Sequence, residues 1–299
     1  MSTLRSSVLI LPLIVAVFLG GCERQDAAAP EAMKLNVGRV PASDGVPIAY
    51  TSRGAGEIAL VFVHGWMCDQ TYWRHQVTAF VDRFQIVTVD LPGHGNSNAT
   101  TTRSEWTLEG YGADVAAVVE HLELDQVVLV GHSMGGAVIL EAVSLLGDRV
   151  VGLIGVETFQ NAEFEVPDEV WNPLLDAYRS NWQGTCERMV SAMFPRPGDE
   201  LAITVRADMC EGPETIGIAL LEEFGAYRAA PRMAALGDLP IRAINAEIST
   251  PTQVDVNQRH APQFDAMIQE QAGHFLMLEH PETFNPLFEE TLAAIGAAP

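Results

Sequence analysis

Short runs rich in Val, Ile and Leu recur along the chain at 58–63 (IALVFV), 85–89 (QIVTV), 126–130 (QVVLV), 151–156 (VGLIGV) and 241–244 (IRAI). Most carry apolar side chains at nearly every position rather than at every second one. A strand with one wet face alternates, whereas a strand apolar on both faces belongs in a parallel sheet covered by helices on each side. Stretches of helical periodicity lie between them, at 72–81, 108–122 and 135–146. This order predicts an α/β fold with a doubly wound, mostly parallel sheet and right-handed crossovers. Ahead of it, 35–40 and 47–52 flank Ser43-Asp44-Gly45, a pattern that predicts an antiparallel hairpin. At 299 residues and 48% hydrophobic, the chain can fill the core of one large domain, taken as 34–299. Its net charge of −22 argues against nucleic acid, whose phosphates would repel it.

From about 161 to 236 the alternation gives way to helical patterns, broken at Pro195-Arg196-Pro197-Gly198 and at Glu211-Gly212-Pro213. This predicts a helical cap inserted between the sixth and seventh strands, over the C-terminal edge of the sheet. Its Trp171, Trp182, Met189, Met193 and Phe194 are read as cap core, with one or two of them lining a cavity. The αβ pattern resumes at Leu239 and ends in a helix around 283–295.

The first 21 residues read as a leader. Arg5 is the only charge before Cys22, and the apolar run 8–19 is too short to span a bilayer but suits a secretory signal. Leu19-Gly20-Gly21-Cys22 resembles a bacterial lipobox, which implies lipidation of Cys22 and a tether over 22–33. Glu23 after the cysteine resembles the outer-membrane default, so an exported protein lipid-anchored on the periplasmic side of the outer membrane is expected. The alternative is an ordinary signal peptide with an incidental cysteine. Export permits disulfides. Cys186 and Cys210 form the candidate pair, with two buried thiols as the alternative, and Cys68 is left as a free thiol near the site.

The chemistry is concentrated in Gly131-His132-Ser133-Met134-Gly135-Gly136, between the strand 126–130 and the helix that follows. A G-x-S-x-G turn between strand and helix is so sharp that only small residues can flank the serine, and it presents the hydroxyl at the sheet edge. The helix N-terminus there favours developing negative charge. His64-Gly65-Trp66 closes the first parallel strand, where a backbone N–H is required to meet an oxyanion. Trp66 and Met134 are therefore the candidate oxyanion donors. Gly273-His274-Phe275 follows a late strand-like run at 266–270.

Together with Asp90-Leu91-Pro92-Gly93-His94-Gly95 and Ala272, these motifs resemble the α/β-hydrolase family, and within it the capped esterase, haloperoxidase-like and C–C hydrolase branch. The resemblance covers the chain from about residue 34 to its end, apart from the cap. It implies Ser133 as nucleophile and His274 as general base, with His94 organising a loop rather than reacting. The acid departs from the family pattern, in which Gly-x-x-Asp ends the seventh strand. Counting from the glycine-equivalent Ala246 lands on Ser249, which cannot serve. Glu247, counted back from Pro251, is placed first, and Glu157 at the end of the sixth strand second, with Asp255 an outsider.

The reading is a serine hydrolase that cleaves a carboxylic ester of a small apolar substrate through an acyl-enzyme. It requires no metal and no cofactor, no nucleic-acid partner, and the membrane only through the lipid. C–C bond hydrolysis or perhydrolysis would use the same triad. A small-molecule-binding relative without turnover is the alternative of another class.

Overall fold

The computed structural model describes residues 35–97 and 103–297. The leader, Cys22 and the 22–33 tether lie outside the described residues. Strands β1 (Asn36–Pro41) and β2 (Pro47–Arg53) make the expected hairpin. In its turn Asp44 Oδ1 accepts the Val46 N–H at 3.0 Å, and Gly45 takes φ +83°, which glycine adopts without steric cost. Then come β3 (Ala59–Val63), β4 (Gln85–Asp90), β5 (Val127–His132), β6 (Val150–Val156), β7 (Ile241–Ala246) and β8 (Asp265–Gln269). The sheet order is β1-β2-β4-β3-β5-β6-β7-β8. β2 pairs antiparallel with both β1 and β4, and every pair from β4 to β8 is parallel.

The continuous apolarity of the strands has its cause in burial on both faces. Leu60, Val61, Phe62 and Val63 of β3 are all at 0% exposure, and a large side chain so buried contributes about 1.5–3 kcal/mol. Phe62 packs on Trp73 and on Phe288, joining β3 to α1 (Arg74–Phe80), which Trp73 precedes, and to α11 (Pro281–Ala294). Helices α2 (Leu108–His121) and α3 (Met134–Leu146) pack against each other over the other face. Thr107 caps α2 by accepting the Gly110 N–H at 3.0 Å.

Between β6 and β7 the chain forms the expected cap. It consists of α4 (Asp168–Ser180), α5 (Trp182–Ala192), α6 (Glu200–Glu211), α7 (Glu214–Ala226) and α8 (Ala229–Ala234). A Cys186–Cys210 disulfide ties α5 to α6, and Cys68 is a buried free thiol. After β7 come α9 (Val254–Gln258) and, past β8, α10 (Leu276–Glu279). Among the described residues no helix is long and apolar enough to cross a membrane.

Register places the functional edge. His132, the last residue of β5, pairs with Val156, the last of β6. Ser133 and Glu157 therefore emerge side by side, one residue beyond the ladder, at the C-terminal edge where parallel α/β sheets carry their sites.

Candidate active site

Ser133 stands at φ 52° and ψ −118°, a conformation that side-chain-bearing residues rarely adopt. Such backbone strain costs on the order of 1–3 kcal/mol and persists only where the surroundings enforce it. Here Ser133 N–H donates to Val156 O at 2.9 Å, and Ser133 O accepts from Gly136 N–H at 2.9 Å. The glycines make room. A Cβ on Gly131 would come within 2.3 Å of Gly135 O, and one on Gly135 within 2.6 Å of Val63 O. The serine is half-buried and lines a cavity of about 160 Å³ under the cap.

Trp66 and Met134 line this cavity, and the backbone amides of both have no hydrogen-bond acceptor among the described residues. Each is aimed by its own peptide plane, because in a trans peptide C=O and N–H point opposite ways. The Gly65 carbonyl is held by His64 Nδ1 at 2.8 Å and by Cys68 N–H at 3.2 Å, which turns the Trp66 N–H away from them. The Ser133 carbonyl, held by Gly136, does the same for Met134. His64 can serve this role only when neutral. Its Nε2 accepts the Leu91 N–H at 3.0 Å, so its Nδ1 carries the proton donated to Gly65 O. Burial lowers the His64 pKa to about 4, which preserves that state. The Trp66 indole donates to Gly217 O of α7 at 2.9 Å and packs against Trp182, so the loop after β3 is anchored in the cap.

His274 is paired with Glu157. Its Nδ1 lies 3.2 Å from Glu157 Oε2, and the Glu157 side chain is 1% exposed. This corrects the expectation that Glu247 would take that place. Glu247 follows the last residue of β7, its N–H extends the ladder to Gln269 O, and its side chain is exposed. Glu157 follows Val156 with φ 50°, a left-handed step that turns its side chain beneath the histidine. The residues beyond β7 support the carboxylate instead of supplying it. Ala246 N–H donates to Oε1, and the Ser249 hydroxyl donates to Oε2 at 2.5 Å. Ser249, which cannot serve as an acid, thus holds the Glu157 carboxylate in place. Asp255 lies on α9, away from these contacts. Ser133 and His274 line the same cavity but make no hydrogen bond to each other in this arrangement.

The backbone of His274 is pinned on every side. Its N–H donates to Met193 O of the cap at 2.9 Å, and its carbonyl accepts from His132 Nε2 at 2.8 Å. Burial, reinforced by the neighbouring His274, holds His132 far below the ordinary histidine pKa, so it is neutral. Glu279 clamps the flanking amides, accepting Gly273 N–H at 3.2 Å and Phe275 N–H at 3.0 Å. Neither His132 nor Glu279 was expected to contribute from sequence, since both roles lie in backbone contacts. His94 is buried, with Nδ1 against Pro92 O at 3.2 Å, and burial lowers its pKa to about 3, which suits a loop organiser.

The remaining cavity wall is apolar, with Trp171, Met189 and Met193 from the cap joined by Met209, Leu221 and Phe224. Three of the five residues read as cap core therefore face the cavity. Trp182 instead packs on Trp66 and Tyr178, and Phe194 stacks on Phe275. Cys68 also lines the cavity, its Sγ 3.4 Å from Trp66 O, and burial drives its pKa well up, away from a reactive thiolate.

Comparison with known proteins agrees with this architecture. Residues 60–287 match the model of the alpha/beta hydrolase family. The chain is 34% identical over 176 residues to a non-heme haloperoxidase of Rhodococcus erythropolis, a match covering 54% of this chain and 63% of that protein. It is 30% identical over 160 residues to the karrikin insensitive 2 receptor CA of Petunia hybrida, covering 50% of this chain and 58% of the receptor. The match thus spans less than two thirds of the length of each of these relatives. A thermophilic esterase from Thermogutta terrifontis superposes with a TM-score of 0.73 at 24% identity, covering 87% of this chain and 99% of the esterase.

Proposed function

The chain belongs to the alpha/beta hydrolase family, and on that premise we propose that it is a serine hydrolase cleaving a carboxylic ester of a small apolar substrate. Ser133 is the nucleophile, His274 the general base and Glu157 the acid that orients it. The observation that carries the reading is a strained Ser133 that shares one cavity with two residues whose backbone amides are unpaired and with a histidine held by a buried carboxylate. His274 takes the Ser133 proton as the oxygen attacks the ester carbonyl. The Trp66 and Met134 amides then receive the oxyanion, each worth about 3 kcal/mol to the transition state. The alkoxide leaves with the proton from His274, and water repeats the sequence on the acyl-enzyme to free the acid. The apolar cavity favours acyl groups without charge.

The test is turnover of p-nitrophenyl acetate, butyrate and octanoate by the full-length protein in detergent, together with fluorophosphonate labelling. Labelling at Ser133 with turnover supports the reading. The similarity to a receptor favours one second reading, a small-molecule binder with negligible turnover. A folded protein that neither labels nor hydrolyses would support that one.

The clamp on His274 gives a further expectation. Glu279→Ala frees the Gly273 and Phe275 amides, and a displacement of about 1 Å at the histidine costs on the order of a hundredfold in rate. A loss of that size in kcat is expected, with KM changed less. Glu279→Gln keeps one acceptor oxygen and falls between the two. Equal kcat in all three proteins would remove Glu279 from the positioning role.

We also propose that the protein is exported and held to the outer membrane through lipid on Cys22. In a bacterial host, Cys22→Ser is expected to move the protein from the membrane fraction to the soluble periplasmic fraction. Unchanged partitioning would discard the anchor.

A further inference from the structure

We propose that a second cavity beside the catalytic one is an acyl-chain chamber, entered between Trp171 and Phe224. The inference rests on the serine-esterase reading and adds the substrate class, esters of elongated, medium-chain apolar acids.

The catalytic cavity, about 160 Å³, is small. A cavity of roughly 150 Å³ holds a benzene molecule, so a short acyl group fills it. A longer chain needs somewhere to go. The second cavity, about 230 Å³, adjoins the first, and the two share Trp171 of α4 and Phe224 of α7 and no other lining residue. Met134 lines the first and Ala137, one turn further along α3, lines the second. The chamber therefore runs along α3 away from Ser133.

The partition has its own signature. The Trp171 indole N–H is buried without a hydrogen-bond partner, a state that packed cores avoid. The same nitrogen lies where a Cβ on Gly225 would come within 2.1 Å, so glycine at 225 gives the indole its place. Phe164, which lines the second cavity and not the first, is 57% exposed, so the chamber reaches solvent at its outer end.

The arm of the ester that enters is the acyl arm. The leaving oxygen must face His274 to receive its proton, and His274, Phe275 and Met193 line only the first cavity. The chain that passes Trp171 and Phe224 is therefore the one that stays attached to Ser133.

The experiment measures kcat/KM of the full-length protein on p-nitrophenyl acetate, butyrate and octanoate, with the leaving group constant. Ala229→Phe places a ring in the second cavity, and Val166→Trp fills it from the cap's entry loop should the first variant fold poorly. Either is expected to lower the octanoate-to-acetate ratio at least about tenfold, the scale on which an apolar pocket discriminates by size. Trp171→Ala widens the passage and is expected to raise that ratio. Ratios within twofold of the parent in all variants, with acetate still hydrolysed, would overturn the chamber and leave the esterase reading standing. A parent inert to every ester and unlabelled by fluorophosphonate would remove both.

Discussion

Ser133→Ala is expected to lower kcat on p-nitrophenyl esters by about a million-fold, the scale seen when the serine of such a triad is removed. The substitution deletes one oxygen and keeps the Cβ, so the strained backbone at φ 52° and the bonds from Ser133 N–H and O are untouched. The thermal midpoint should therefore stay within a few degrees of the parent while fluorophosphonate labelling disappears. The Trp66 and Met134 amides remain, and a residual rate of about a thousandfold or more over water is expected from them and from binding. Turnover preserved in Ser133→Ala would place the chemistry on another residue and defeat the mechanism.

Glu157→Gln is expected to reduce kcat by about ten-thousandfold, with KM little changed, whereas Glu247→Gln should lie within twofold of the parent. The larger figure follows from triads in which an amide replaces the acid and holds the histidine in the wrong tautomer. Here the effect is compounded by crowding of donors. Ala246 N–H, the Ser249 hydroxyl and His274 Nδ1 all approach one carboxylate. A glutamine offers a single acceptor oxygen and places an NH2 group against at least one of those donors, inside a side-chain environment 1% exposed. The decisive measurement is the pair of kcat values on the same ester. A large loss in Glu247→Gln and none in Glu157→Gln would reverse the assignment.

Much of this protein could be read without coordinates. The nearly continuous apolarity of 58–63, 126–130 and 151–156 predicts strands buried on both faces, and β3, β5 and β6 occupy adjacent places at the heart of the parallel sheet. The Ser43-Asp44-Gly45 hairpin, the cap between the sixth and seventh strands and the Cys186–Cys210 pair were all legible, the last as one of two alternatives. So was the elbow. Its glycines are required by contacts within a few residues and to the end of the neighbouring strand, so the motif carries its own geometry.

What sequence determined, then, is whatever depends on local periodicity and backbone sterics, namely the strands, the turn at Ser133 and the late histidine. Tertiary structure decided which groups meet. Glu157 and His274 are 117 residues apart, and their contact depends on the β6–β7 and β7–β8 pairings and on a left-handed step at a glutamate, which no residue preference marks. The same holds for the hold of His132 on the His274 carbonyl, 142 residues away, and for the division of space under the cap by Trp171 and Phe224. Periodicity says which side of an element is buried. Only the packed chain says against what, because a side-chain contact is set by the relative placement of elements far apart in sequence.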